Sequence, residues 1–202
     1  MIIHINVFKG PEAAPYIRPL SEMRVKAFAE FPYLYEGNVE DDFAYAHLYA
    51  SDPQGMIVVA FEGDQIVGVR SGCPVPAHTI VMDESRCQML EDHGIQAKAY
   101  YYCGEIIVDP AFQRKGIATQ LMTRFIEEVK EMGFPGMIAI TSIKPDDHPL
   151  RPHDYFDSGL FLKKFGFEKS PITFTAEWPT RQGDGTVKTQ ENELAFWVRK
   201  LD

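Results

Sequence analysis

The sequence is poor in cysteine, and nothing in it would pair the few cysteines that it has. Cys73, Cys87 and Cys103 are the only three in 202 residues, and they lie far apart with no C-x-x-C motif. A scattered, odd set of cysteines is not the framework of a disulfide-rich secreted domain. We therefore expect a reducing environment and predict a cytoplasmic protein.

Long apolar runs are also missing. No segment reaches the roughly 18 apolar residues that a membrane-spanning helix needs. The chain begins MIIHINVF, which alternates like a β-strand and does not combine a basic leader with an apolar run. We therefore predict neither a membrane span nor a signal peptide.

Positive charge is in the minority, with 20 Lys and Arg against 29 Asp and Glu and a formal net charge of −9. This balance argues against nucleic acid or an anionic membrane as a partner, although a local basic patch can still hold a phosphate. It mildly favours cationic substrates such as amines. A solvated acidic surface that binds no substrate explains the same balance.

Several motifs of nucleotide-binding and hydrolytic enzymes are absent. The sequence has no G-x-x-x-x-G-K-[ST], no G-x-G-x-x-G, no H-E-x-x-H and no G-x-S-x-G. These absences argue against a P-loop, a dinucleotide-binding turn, a zinc protease and a serine nucleophile elbow.

What the sequence does contain is a strand, a glycine turn and a helix in immediate succession. Residues 100–108 are rich in aromatic and β-branched side chains, which predicts a buried strand, and apolar residues recur at helical spacing over 117–132. Between these elements, Gly116 lacks a Cβ and lets the backbone approach a ligand closely. The amides that open the helix have no intrahelical partner and lie at the positive end of its dipole. This turn is therefore a predicted site for an anion such as pyrophosphate.

The remaining pattern predicts a single domain, 1–202, in the element order β-α-α-β-β-β-α-β-α-β-β. Strands are predicted at 2–8, 56–62, 65–71, 100–108, 137–143, 172–178 and 194–199. Helices are predicted around 20–31, after an N-cap at Asn38, over 117–132 and over 155–165. Residues 72–98 are predicted to be an insertion or lid with a short helix at 83–93.

The turn resembles the acyl-CoA-binding motif of the GNAT N-acetyltransferases, in the form Gln113-x-x-Gly116-x-Ala118 after a strand that ends Val108-x-Pro110. The element order is similar to the whole GNAT fold, an α/β (α+β) fold in which helices flank a mixed central sheet of about seven strands. The resemblance implies acetyl-CoA as the cofactor and co-substrate. The residues expected to bind it are Ile107, Val108, Gln113, Arg114, Lys115, Gly116, Ile117, Ala118 and Thr119.

The resemblance implies transfer of the acetyl group to a primary amine of a small molecule, by direct attack in a ternary complex. Many members of the family carry a tyrosine four residues before the glycine that Gly166 matches, as general acid to the leaving thiolate, and this chain has Leu162 there. That departure leaves open a catalytically silent acyl-CoA-binding regulatory module. The resemblance is also compatible with a homodimer.

Two residues are candidates for proton transfer. Glu105 is a lone carboxylate in an apolar strand, so it is either a general base whose pKa burial would raise or a structural partner of an arginine or of backbone amides. Strict alternation would place Glu105 on one face of the strand with Cys103 and Ile107. Tyr155 is either the acid that replaces the missing tyrosine or an aromatic anchor of the helix that follows.

Two loops are candidates for binding the acceptor. Tyr33 and Tyr35 lie in the aromatic loop 31–37, where the resemblance places the acceptor pocket, although aromatic residues around a proline also serve as loop anchors. The second loop, 144–154, is long and rich in ionisable groups, as functional loops often are. Its two histidines lack a compact ligand spacing, so no metal site is predicted.

Overall fold

Seven strands form one mixed sheet in the computed structural model, which describes residues 2–201. Their spatial order is β1-β2-β3-β4-β5-β7-β6, and every neighbouring pair is antiparallel except β4 and β5. The strands are β1 (Ile3–Lys9), β2 (Met56–Glu62), β3 (Gln65–Pro74), β4 (Tyr101–Val108), β5 (Gly136–Ser142), β6 (Glu168–Arg181) and β7 (Val187–Lys200). The predicted mixed sheet of seven strands is confirmed.

Helices cover both faces of the sheet. They are α1 (Ile17–Phe28), α2 (Val39–Ala46), α3 (Leu48–Ser51), α4 (Glu84–Glu91), α5 (Ile117–Glu131) and α6 (Ser158–Lys164). One apolar core lies between the sheet and α1 to α4, and it includes Leu20 and Leu90. The other lies under α5 and α6 and includes Phe125 and Leu162. Among residues 2–201, no helix is both long and apolar enough to cross a membrane.

Most predicted boundaries hold, and the exceptions have local causes. Asn38 caps α2, since its side-chain oxygen accepts the N–H groups of Glu40 and Asp41 at 3.0 Å each. The helix predicted at 155–165 begins at Ser158, because Asp157 caps it by accepting the Gly159 N–H at 2.7 Å. The last two strands run for 14 residues each, longer than predicted. The residues next to the turn that joins them are mostly polar, so they show no apolar alternation from which a strand could be predicted.

The sheet opens into a gap between its two parallel strands. β4 and β5 pair at only three positions, which end at Cys103 and Ala139. Beyond that point, β5 continues its pairing with β7 as far as Ser142 opposite Leu194. Residues 104–108 of β4 therefore have no paired strand on the β5 side.

A β-bulge in β4 sits where the gap begins. Arg70 pairs with Ile106 and Gly72 pairs with Cys103, so two steps along β3 span three steps along β4. The extra residue shifts the alternation of side chains by one position. The prediction that Glu105 shares a face with Cys103 is therefore wrong, because Cys103 packs in the α5-side core while Glu105 contacts residues of the α1 side.

Candidate active site

The turn between β4 and α5 exposes the start of a helix. Asp109 shapes its first part by accepting the Ala111 N–H at 2.9 Å. Gly116 then takes φ +80° and is the N-cap of α5, with no side-chain cap. Because no side chain occupies the opening amides, they are available to an anion.

A cavity of about 910 Å³ lies between this turn, the gap and α6, and we call it the α5-side cavity. Eight of the nine residues predicted to bind the cofactor line it: Ile107, Val108, Gln113, Arg114, Gly116, Ile117, Ala118 and Thr119. The exception is Lys115, whose Nζ donates to Ala111 O at 2.9 Å and lies 4.9 Å from the centre of the Phe112 ring.

The open edge of β4 offers backbone groups to this cavity. Asp109 donates its N–H to Val67 O on the β3 side at 3.0 Å. In an antiparallel strand, the backbone N–H groups of alternate residues bond to the same neighbouring strand. The N–H of Ile107 therefore also points towards β3. The N–H groups of Ile106 and Val108 therefore point into the gap.

Replacing Gly116 by glutamate is expected to abolish tight binding of acetyl-CoA and to leave the fold intact. A Cβ at Gly116 meets no heavy atom within 4 Å, so the chain tolerates the side chain, but its charge opposes an anion at the same place. We expect the affinity to fall about 100-fold, or about 2.7 kcal/mol, the value of one strong hydrogen bond to a charged group. Isothermal titration calorimetry measures it.

Gly133→Glu is the matched control for this change. Gly133 also has φ +80° and free space around it, but it lies just beyond the other end of α5. The two variants share the backbone strain of a left-handed residue. If both lose acetyl-CoA equally, or neither does, the turn is not the phosphate site.

A second cavity, of about 680 Å³, lies on the other face of the sheet, and we call it the α1-side cavity. Five residues line both cavities: Phe28, Tyr33, Gly104, Glu105 and Ile140. The two cavities therefore meet at the gap. Tyr35 lines only the α1-side cavity, and Tyr155 lines only the α5-side cavity.

Glu105 is held at this junction by three donors. Its Oε1 accepts Arg24 Nε at 2.9 Å, and its Oε2 accepts the hydroxyls of Ser71 at 2.6 Å and Tyr49 at 3.0 Å. Arg24 also pairs with the carboxylate of Asp42, which is fully buried. The cluster therefore holds two carboxylates and one guanidinium, a net negative charge.

The partners of Glu105 decide its ionisation. Burial would raise its pKa, but the charge of Arg24, with hydrogen bonds from Ser71 and Arg24, outweighs burial and holds the pKa below its ordinary value. The carboxylate is therefore ionised at neutral pH. The alternative of an arginine partner is thus present in the structure, and base catalysis by Glu105 stays a prediction.

The two predicted acceptor contacts differ in their surroundings. The Tyr33 ring stacks on Phe28 with centroids 4.3 Å apart, and its backbone oxygen accepts Trp178 Nε1 at 3.0 Å. Burial raises the pKa of Tyr33 to about 12. Tyr35 forms an isolated backbone bridge with Thr180 of β6, so both tyrosines are anchored and both face a cavity.

Tyr155 lines the α5-side cavity. Its ring and the Phe31 ring are nearly perpendicular with centroids 4.8 Å apart, and the Arg151 guanidinium lies 5.1 Å from the Tyr155 centroid. Burial, with the charge of Asp157, raises the pKa of Tyr155, so its hydroxyl keeps its proton at neutral pH. Leu162 lines the same cavity from α6 and offers no polar group.

Sequence reasoning missed Arg24, Asp42 and Arg70. A signal existed for Arg24, since it lies four residues after Leu20 and four before Phe28, on the apolar face of α1. Arg70 is a lone charge among the apolar residues of β3, as Glu105 is in β4. Asp42 looked like an ordinary acidic residue of a first helical turn. Among residues 2–201, no three His, Cys, Asp or Glu side chains are grouped as metal ligands are.

Comparison with known proteins identifies a family. The model of the acetyltransferase (GNAT) family matches residues 21–152, more than half of the chain. None of the curated proteins is significantly similar to it in sequence.

Solved structures resemble the whole chain at low sequence identity. The N-acetyltransferase from Staphylococcus aureus Mu50 superimposes with a TM-score of 0.60 and 19% identity, over 100% of both chains. The ribosomal-protein-alanine N-acetyltransferase from Brucella melitensis gives 0.61 and 16%, also over 100% of both. YncA from Salmonella typhimurium, solved with its cofactor acetyl-CoA, gives 0.58 and 16%, over 99% of this chain and 94% of that one. At such identities the likeness shows the fold.

Proposed function

Because the chain belongs to the GNAT family of acetyltransferases, we propose that it transfers the acetyl group of acetyl-CoA to a primary amine of a small molecule. The observation that carries this proposal is the pair of cavities that approach the gap from opposite faces of the sheet. Each cavity has room for one substrate, so the amine attacks the thioester directly in a ternary complex.

The α5-side cavity suits the donor. The pyrophosphate would bind the amides around Gly116 and the start of α5, next to Arg114. The pantetheine arm would then run along the open edge of β4. The N–H groups of Val108 and Ile106, which point into the gap, would then be the donors to the carbonyl oxygen of the thioester. Fixed N–H donors stabilise the negative charge that this oxygen gains on attack.

The α1-side cavity suits a cationic acceptor. Aromatic rings line it, among them Tyr33, Tyr45 and Trp178. Five carboxylates also line it, against two guanidinium groups. Arg24 is already paired with Glu105 and Asp42, so the cavity keeps an excess of negative charge. Such a cavity attracts an ammonium, and aromatic faces add cation–π attraction.

Glu105 and Tyr155 have complementary roles in this proposal. Glu105 lies where the cavities meet and accepts a proton from the attacking nitrogen as the C–N bond forms, when that nitrogen is far more acidic than the free ammonium. Tyr155 stays protonated at neutral pH and donates to the leaving thiolate.

Leu162 favours a second candidate, a catalytically silent acyl-CoA-binding regulatory module. An apolar side chain lines the cavity where many family members have an acidic hydroxyl. This candidate predicts acetyl-CoA binding without turnover.

Release of free CoA in the presence of a panel of primary amines separates the two candidates. We expect at least one amine to be acetylated above the rate of hydrolysis, and no amine-dependent release would select the silent module.

Once an active amine is found, Tyr33→Ala and Tyr35→Ala should each raise the KM of that amine about tenfold. A tenfold rise corresponds to a loss of about 1.4 kcal/mol of binding free energy. Tyr16→Ala is the control, because Tyr16 stacks on Phe8 outside both cavities. An unchanged KM in both loop variants would exclude this loop from the acceptor site.

A further inference from the structure

Arg70 is a buried cation without a carboxylate partner among residues 2–201. Its exposure is 1%, its NH1 donates to the carbonyl oxygen of Gly104 at 2.8 Å, and the Cys103 thiol lies beside it. Its guanidinium lies 4.3 Å from the centre of the Phe125 ring. The remaining nitrogens, Nε and NH2, have no partner.

Arg70 lies where the gap begins. Pairing between β4 and β5 ends at Cys103, and the next residue, Gly104, accepts the hydrogen bond from Arg70. Arg70 and Leu162 are both among the residues that line the α5-side cavity. The donor arm, which runs along β4 from the turn at Gly116, would bring its thioester towards this end of the gap.

A buried guanidinium without a counter-ion is costly. Removing a charge from water costs several kcal/mol unless an opposite charge or several hydrogen bonds compensate it. One carbonyl and one aromatic face supply only part of that compensation. A negative charge that arrives in the adjoining cavity would supply the compensation that this cation lacks.

We propose that Arg70 is a catalytic residue that stabilises the CoA thiolate as it leaves, a role that rests on the proposed acetyl transfer. The amine nitrogen attacks the thioester carbon and the carbonyl electron pair moves to oxygen. When the carbonyl re-forms, the C–S bond breaks and its electron pair goes to sulfur. Glu105 takes the proton that the nitrogen loses, and Tyr155 then protonates this sulfur. Proton exchange with water restores both side chains, so the products are the amide and CoA with a neutral thiol.

This role accounts for Leu162. A family tyrosine would protonate the sulfur, whereas a fixed cation lowers the energy of the thiolate before any proton reaches it. Preorganised charges of this kind are most effective in a site that excludes water, and Arg70 is almost wholly excluded from solvent. A catalytically silent module would not break the C–S bond, so it would not need the charge of Arg70 to stabilise a thiolate.

The acidity of the CoA thiol in the binary complex tests the proposal without turnover. An alkyl thiol has a pKa of about 8.5, and a cation nearby should lower that of bound CoA by about one unit or more. Thiolate absorbance is titrated for CoA bound to the wild-type protein, with the complex of desulfo-CoA subtracted. Burial raises the pKa of Cys103 to about 11, so this neighbouring thiol titrates separately.

Two variants isolate the charge. Arg70→Met removes it at similar length, so the bound thiol should return to its ordinary acidity, and kcat should fall by about 10²- to 10³-fold with little change in the KM of the amine. Arg70→Lys keeps the charge and should keep most of the thiol shift. An unchanged shift in Arg70→Met overturns the proposal.

Other results remain distinguishable. If both variants fail to fold, a bound thiol in the wild-type protein that is no more acidic than free CoA overturns the proposal by itself. Failure of the wild-type protein to bind CoA rejects the proposed function. A shifted thiol without any amine turnover rejects the acetyl transfer and with it the catalytic role, and leaves Arg70 as a residue that binds the CoA thiolate.

Discussion

Replacing Arg24 by methionine is expected to lower the free energy of unfolding by about 3–5 kcal/mol at neutral pH. The change leaves Glu105 and Asp42 buried with no cation between them, since Arg24 is the group that bridges the two. Because methionine fills a similar volume, the loss of stability reflects the missing charge more than a cavity. Urea unfolding followed by circular dichroism measures it.

The sign of the pH dependence identifies the cause. In the wild-type protein the folded pKa of Glu105 is lowered, so its contribution to stability is present above the ordinary pKa of a carboxylate and is lost as the pH falls through the folded value. Without Arg24, burial with no cation between them should favour the protonated form of both carboxylates. The variant should then recover part of its deficit as the pH falls towards about 5, because protonation removes the buried charges.

Arg18→Met is the control on the same helix. Arg18 pairs with Glu40 at 2.8 Å, but both side chains are exposed, and exposed pairs contribute about 1 kcal/mol or less. A loss in Arg24→Met no larger than that in Arg18→Met, or one that grows on acidification, would contradict the account of the buried cluster.

The sequence predicts the donor side of the site better than the acceptor side, because the donor side is local. Residues 107–119 are contiguous, so strand, turn and helix N-terminus follow from apolar spacing and one glycine. The acceptor side joins residues remote in sequence. Glu105 meets Arg24 across 81 positions and Tyr49 across 56, and no single-sequence pattern specifies such pairs.

The face of β4 on which Glu105 lies was predicted wrongly for a different reason. Period-two alternation is a reliable guide only while the ladder is regular. One extra residue at Gly104 and Glu105 reverses the faces, and the gap to β5 begins at the same place. A bulge beside a site re-aims side chains, and its position depends on the register with β3, which the residues of β4 do not reveal.

Replacing Glu105 by glutamine is expected to reduce kcat by about 10²- to 10⁴-fold, the usual contribution of a general base. Glutamine keeps the shape and can still accept a hydrogen bond from Arg24, but it does not take up a proton. Arg24 also retains Asp42 as an ionic partner, so the fold should survive. Acetyl-CoA affinity should hardly change. Raising the pH should recover part of the rate, because a free alkyl ammonium has a pKa of about 10 and more of the amine becomes neutral.

Glu128→Gln separates this loss of rate from a general effect of burial. Glu128 is also buried, with an exposure of 4%, and it pairs with Lys9 and Arg124. It lies on α5 and lines neither cavity, so its variant should lose stability and keep its turnover. Equal turnover of Glu105→Gln and the wild-type protein across the pH profile would remove Glu105 from proton transfer. If the Glu105→Gln variant were also less stable, Glu105 would be the structural partner of Arg24, and the amine would lose its proton to water.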